Sequence, residues 1–413
     1  MAPTIFPQEL FDLIVDEVAA NHNPNSRLAT LKACSLASVS LSHTARRHLF
    51  SSITIQYNIV HDRRGSEKYK RVEALWNVLK RDPRLAACVR IFELELITDW
   101  THLPDMRQSI QPRIDALVLP GILNTLTKAQ QENTEDGYRG RLDTLGLGGY
   151  NCKTVSWNDF SPELRFSWQT LYASSDLKYL RVGRMRPFPS GITLRPGIQC
   201  LELGVDVIDA NATVSNAASF PQVACASLRE LDCILSTDTW IQTNMNSCTK
   251  VVELSASSLQ TLKMQMNPYE NIFPTINIGS LTALKTLTFE LREVEVNDLE
   301  ALFKVTEFLY RSSSNCVQEV QIDLVMQSPP NFESCDRACH ILKLLDEVLS
   351  QKSFIRLQKV SFRALWTSHL HKYFPFPTPH PSSKNFLAKP LSLLHLLPLT
   401  RKKLSKSFHN SLR

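Results

Sequence analysis

"LKYLRV", residues 177–182, puts an aliphatic residue first, a basic one second and apolar residues fourth and sixth. The same form returns as "IQCLEL" (198–203), "LRELDC" (228–233), "LQTLKM" (259–264), "LKTLTF" (284–289), "VQEVQI" (317–322) and "LQKVSF" (357–362), with Gln admitted at the second place. At this composition about one such match arises by accident over that span, so seven make a repeat. Looser relatives precede it: "FSSITI" (50–55), "IFELEL" (91–96) and "LDTLGL" (142–147). "IDALVL" (114–119) also matches, but its apolar spacing suits a helix as well.

In a strand the fourth and sixth side chains share one face, and the fifth points the other way. No single strand with its return can cover its apolar side alone, so neighbours must stack. From residue 142 the strand starts are 35, 21, 30, 31, 25, 33 and 40 residues apart. Regular leucine-rich repeats run about 20–29 residues, so an irregular version is expected, with helices or loops of varying length on the return. The expected fold is therefore α/β, with parallel strands in a solenoid over 89–363. Leu180, Leu201, Leu231, Leu262 and Leu287 should stack in its core. The fifth-position residues Glu95, Arg181, Glu202, Asp232, Lys263, Thr288, Gln321 and Ser361 should line a concave face. Mixed charge along such a surface suits protein recognition better than chemistry on a small molecule.

Upstream, "IFPQELFDLIVDEV" (5–18) reads as an amphipathic helix opened by Pro7, with Leu10, Leu13, Ile14 and Val18 at helical spacing and Asp12, Asp16 and Glu17 opposite. The turn formers "NHNPNS" (21–26) separate it from one or two helices over 27–50. Residues 51–88 read as a connecting helical segment, in which Val72, Leu75, Trp76 and Leu79 mark a helix ended by "DP" at 82–83. Further helices are predicted at 162–173, 298–311 and 335–350.

A composition of 43% apolar and 21% charged residues is that of a folded chain. No apolar run is long enough to span a bilayer, and acidic residues interrupt the N-terminal apolar stretch, so neither a membrane segment nor a secretory signal is expected. The ten cysteines include no CxxC pair, which fits a reduced compartment, cytoplasmic, nuclear or both. The net charge of +6 is local: residues 364–413 hold eight Lys or Arg and no acid, which leaves 38 basic against 40 acidic residues, or −2, elsewhere. No nucleic-acid footprint follows. Within that tail "YFPFPTPHPSSK" (373–384) forbids helix and gives a sheet nothing to pair with, so 364–413 is expected to be disordered and outside the fold.

No nucleophile elbow, zinc-protease helix, phosphate loop or kinase signature occurs. The glycines of "LGLGGY" (145–150) read as a strand-end turn. "CDRACH" (335–340) offers half a zinc site without a second half, so its cysteines read as core. No catalytic residue, metal or cofactor is expected, and the protein is not expected to be an enzyme.

Residues 5–50 resemble an F-box, a helical motif of roughly 40 residues. The family opens Leu-Pro-x-Glu before an apolar helix. Here Phe6, Pro7 and Glu9 take those places, and Leu10, Leu13 and Ile14 continue. "LKACSLASVSLSHTARRHLF" (31–50) is similar to the second part of fungal F-box-like motifs, with Leu41 where tryptophan is common. The resemblance implies a Skp-type adaptor as partner, bound through Phe6, Pro7, Glu9, Leu10, Leu13, Ile14, Leu36 and Leu41. Through that adaptor it implies cullin and RING subunits. The receptor would be non-catalytic, and its repeats would hold a protein target. The alternative is a leucine-rich interaction scaffold whose first helices only cap a solenoid.

Overall fold

The computed structural model describes residues 7–21, 23–58, 67–97, 114–131, 140–150, 155–157, 160–183, 185–186, 195–204, 225–235, 241–266, 276–294, 300–311, 316–326 and 332–366. The chain forms two compact units, Met1–Ile192 and Thr193–Arg413. The division falls inside the span read as one solenoid.

The first unit opens with three helices, α1 (Gln8–Ala20), α2 (Pro24–Ala37) and α3 (Val39–Leu49). Pro7 takes the N-cap of α1, one place earlier than the reading above puts it, and its carbonyl accepts from the Leu10 amide at 3.1 Å. Asn23 caps α2 by accepting from the amides of Asn25 and Ser26, and Ser38 caps α3 by accepting from Leu41. Val15, Leu31 and Ala45 form the centre of the bundle, with Val18, Ala19, Cys34, Leu41 and Leu49 packed around them. Asp12 accepts from the Thr44 hydroxyl, and Asp16 meets Arg47 at 3.3 Å and His48 Nε2 at 2.6 Å, so α1 is pinned to α3 by charge as well as by packing.

The hydrogen bonds from Thr44 and Gln8 hold the Asp12 carboxyl below its ordinary 3.8. A carboxyl lowered in this way stabilises the fold fully above pH 3.8, and the contribution is lost as pH falls through the lowered value. Thr44→Val is therefore expected to move the Asp12 titration upward by NMR. It should also lower the melting temperature at neutral pH, with the gap to the native chain closing in strong acid.

Residues 51–88 are not a purely helical connector, because they begin with strand β1 (Ser52–Asn58). Then follow α4 (Glu67–Arg81), α5 (Pro83–Ala87), β2 (Ile91–Ile97), a wide helical turn at Ile114–Val118, α6 (Leu119–Gln131), β3 (Thr144–Tyr150), β4 (Val155–Ser156), α7 (Pro162–Ser174), β5 (Tyr179–Val182) and β6 (Met185–Arg186). Strands β1, β2, β3 and β5 lie side by side in chain order, all parallel, and β4 pairs with β6.

The second unit runs β7 (Cys200–Gly204), β8 (Glu230–Leu235), α8 (Ile241–Leu254), β9 (Thr261–Met266), β10 (Thr286–Val294), α9 (Glu300–Tyr310), β11 (Glu319–Met326), α10 (Phe332–Leu349) and β12 (Lys359–Trp366). These six strands are again parallel and in chain order. Strand β12 includes Ala364, Leu365 and Trp366, so the sheet extends three residues past the expected boundary at 363. The rest of the tail lies outside the described residues. Among the described residues no helix is long and apolar enough to cross a membrane.

The repeat has a backbone cause. The carbonyl of one second-position residue after another accepts two consecutive amides of the next rung: Gln199 takes those of Arg229 and Glu230, Arg229 those of Gln260 and Thr261, and Gln260 those of Lys285 and Thr286. Lys285, Gln318, Asp143, Arg90 and Ser51 repeat the arrangement. The first-position residue beside it is buried: Leu177, Ile198, Leu228, Leu259, Leu284 and Val317 all are. Leu180, Leu201, Leu231, Leu262 and Leu287 are buried as well. Helices cover this apolar face, since Phe289 of β10 stacks edge-on against Phe308 of α9 at 5.8 Å. Cys233 of β8 is joined to Cys248 of α8 by a disulfide, so these two cysteines are not the free thiols expected. The contact comes from a helix packing on a strand, which cysteine spacing does not encode.

Candidate functional site

Two surfaces carry the residues singled out in the sequence. On α1, the apolar side chains divide between two stripes. Val15, Val18 and Ala19, at i, i+3 and i+4, turn into the bundle. Leu10, Leu13 and Ile14 turn outward, with relative exposures of 45%, 64% and 55%. Leu36 and Val39, at the joint of α2 and α3, are 85% and 90% exposed. Gln8 Nε2 donates to the Ser40 carbonyl at 2.7 Å and so ties the start of α1 to that joint. Pro7 and Glu9 are exposed at the same end, whereas Leu41 is half-buried against the bundle core. Phe6 lies outside the described residues. Among the described residues twelve large apolar side chains are exposed, and Leu10, Leu13, Ile14, Leu28, Leu36 and Val39 are half of them. Such a concentration marks a candidate interaction site.

The second surface is the strand face opposite the helices. In the second unit Glu202, Asp232, Lys263, Thr288, Gln321 and Ser361 occupy one register row, strand against strand. Two residues further along the strands come Gln265, Glu290, Asp323 and Arg363. Lys263 bridges Asp232 at 3.3 Å and Glu290 at 2.7 Å. Arg363 grips Asp323 with both guanidinium arms, at 2.8 and 2.6 Å, and Gln321 Nε2 adds a third donor at 2.8 Å. Gln265 Nε2 donates to both oxygens of Asp232, at 3.0 and 2.8 Å.

Burial pushes Asp232 upward. Lys263 and Gln265 oppose that, the charge of Glu202 adds to it, and the net shift is upward. Burial pulls Lys263 down, but its hydrogen bond to Glu290 and the charges of Asp232 and Glu290 hold it above its ordinary value. Lys263 is thus a structural cation rather than an idle surface residue. Elsewhere in the unit, burial pushes the Cys200 and Cys225 thiols up to about 11, so neither is a thiolate at neutral pH.

In the first unit the polar face is built around glycine. Glu93, Gly146 and Arg181 share a row, and Arg181 reaches across the glycine to Glu93 at 3.6 Å. The reading above put Glu95 in the same row as Arg181, but Glu95 sits two residues further on, where it accepts from Gln56 Nε2 at 3.0 Å. Gly146, Gly148 and Gly149 are also not a strand-end turn, since all three lie inside β3. A Cβ on Gly146 would come within 2.9 Å of Glu93 Cγ, and one on Gly148 within 2.6 Å of the Gly183 backbone. The glycines let neighbouring chain approach closely.

No family model and no curated protein matches this sequence. What the two surfaces do therefore rests on their own chemistry. The second-unit residues named from the sequence share one register row, and Leu10, Leu13 and Ile14 are exposed on α1. Sequence reasoning missed Gln265, Glu290, Asp323 and Arg363, which stand two residues beyond the fifth position, where the same alternation by two would have found them.

Proposed function

We propose that the protein is an F-box substrate receptor of a cullin–RING ubiquitin ligase, with α1–α3 binding a Skp-type adaptor and the irregular leucine-rich repeats binding a protein target. The observation that carries this reading is the exposed apolar set Leu10, Leu13, Ile14, Leu36 and Val39 on helices whose sequence resembles that family. Leu10, Leu13 and Ile14 take no part in the bundle core, so their exposure costs hydrophobic free energy that a partner would recover. The receptor adds proximity and catalyses nothing itself. It raises the effective concentration of a target lysine beside a ubiquitin-charged enzyme.

The test is co-expression with a Skp-type adaptor. The native chain should co-purify with it. Leu10→Asp with Ile14→Asp should abolish capture, because two carboxylates would be desolvated at the contact without partners. Both side chains face away from Val15, so the variant should keep its circular dichroism spectrum and its melting transition. Undiminished capture by the folded variant overturns the assignment. A native chain that captures a target protein but never the adaptor would instead be an interaction scaffold.

A further inference from the structure

We propose that "LSLLHL", residues 391–396 of the C-terminal tail, pairs with the open edge of β12 as a further parallel strand and closes the repeat stack. The proposal is independent of the ligase reading, since it concerns only where the repeats end.

Two observations set the last repeat apart. The first is packing. In the six repeats that begin at residues 177, 198, 228, 259, 284 and 317, every first, fourth and sixth side chain is buried. Leu357, Val360 and Phe362 hold those places in the last repeat, and all three are half-buried. A rung in such a stack is covered by the rungs on both of its sides, and this one has a neighbour on one side only among the described residues.

The second observation is hydrogen bonding. Strand β12 pairs with β11 along its whole length and with no other strand among the described residues. The carbonyls of Gln199, Arg229, Gln260, Lys285 and Gln318 each accept two amides of the next rung. Their counterpart, the Gln358 carbonyl, accepts none among the described residues. An open edge beside half-exposed apolar side chains is a place that proteins cover.

The tail holds a segment of the right form. "LSLLHL" has leucine at the first, fourth and sixth places and polar residues at the second and fifth. Serine at the second place has a precedent in "FSSITI", where the Ser51 carbonyl accepts the amides of Arg90 and Ile91. The segment starts 34 residues after "LQKVSF", within the 21–40 that separate the other strand starts. Two overlapping stretches share its apolar spacing, but "AKPLSL" (388–393) puts Pro390 at the third place and "LHLLPL" (394–399) puts Pro398 at the fifth. The third-place amide donates to the preceding rung, as Lys359 does to Gln318 at 3.0 Å, and strand alternation sends the fifth-place amide the same way. Proline has no such amide.

In the register of the other rungs, the Gln358 carbonyl accepts from Ser392 and Leu393. Leu394 and Leu396 then lie beside Val360 and Phe362, and His395 continues the polar row beyond Ser361. A target strand or a second copy would also fit an open edge, but the tail is tethered to β12 and so is always at high local concentration. The expectation that all of 364–413 lies outside the fold then fails at 391–396.

Hydrogen exchange on the full chain reads the edge directly. The Lys359 amide points to β11, so by alternation those of Val360 and Phe362 point to the open edge. Both should be protected in the native chain. Leu394→Thr with Leu396→Thr should speed their exchange about tenfold and lower the melting temperature by several degrees. Leu393→Thr with Leu397→Thr removes as much apolar surface from the same segment, but on the side facing away from the helices, and should change neither. Threonine suits a strand, so neither pair acts through propensity. Unprotected Val360 and Phe362 amides in the native chain overturn the proposal whether or not the variants fold. Equal effects of the two pairs overturn it as well. Protection that is lost on dilution would put a second copy on the edge in place of the tail, and the proposal would fall.

Discussion

Leu262→Ala should cost the second unit about 2–5 kcal/mol of folding stability in urea titrations, whereas Lys285→Ala should stay within about 0.5 kcal/mol. Leu262 is fully buried in the middle of the stack, with Leu231 and Leu287 as its register neighbours. Truncation would open a cavity that two parallel strands on either side cannot close without losing their ladder. Lys285 holds the next rung through its backbone carbonyl, which accepts the amides of Gln318 and Glu319, and alanine keeps that carbonyl. Its side chain is exposed. Equal losses at the two positions would show that the leucine row is not the core. Lys263 is the wrong control for this comparison. Its ammonium neutralises two carboxylates, so its removal would cost stability for an electrostatic reason.

The seven-fold pattern could be read from the sequence because each of its places has a separate physical duty. The first and fourth places are buried in every instance but the last, where Leu357 and Val360 are half-buried; the second presents a carbonyl to the next rung, and the fifth faces away from the helices. Those duties recur from strand to strand, so the register of the second unit follows from the sequence. "IFELEL" (91–96) shows where such reading stops. Phe92, Leu94 and Leu96 alternate with Glu93 and Glu95, so sliding by two residues leaves every side chain on its proper face. Only the backbone decides between the two registers: the Arg90 and Ile91 amides both reach the Ser51 carbonyl, which sets Phe92 beside Ile53.

Helix α1 posed a different difficulty. It has more apolar residues than one stripe can hold, and periodicity alone does not say whether Leu13 or Val15 turns inward. The α2–α3 bundle makes that choice by closing on Val15. The Cys233–Cys248 contact and the orphaned oxygen of Gln265 arise from the packing of one element on another, and no local pattern announces them.

Gly148→Val should be the most damaging single substitution on the polar face of the first unit, costing more than about 3 kcal/mol or leaving the chain insoluble on expression. The glycine lies inside β3, and its missing side chain makes room for residue 183, where the chain leaves β5. A Cβ there would sit 2.6 Å from both the nitrogen and the Cα of Gly183. That neighbour cannot retreat cheaply, because the Gly183 amide donates to the Leu147 carbonyl at 2.9 Å and anchors the end of the strand. Backbone therefore meets side chain with no rotamer to relieve it. Gly146→Ala, two residues earlier, is the matched comparison. Its new Cβ would meet only the flexible Glu93 side chain, at 2.9 Å, so the carboxylate swings aside and the cost is the Arg181 contact at 3.6 Å, on the order of 1 kcal/mol or less. Thermal melts of the two variants beside the native chain provide the check. A Gly148→Val protein as stable as Gly146→Ala would mean that β3 and residue 183 do not approach so closely, and the packing described for this edge of the unit would be wrong.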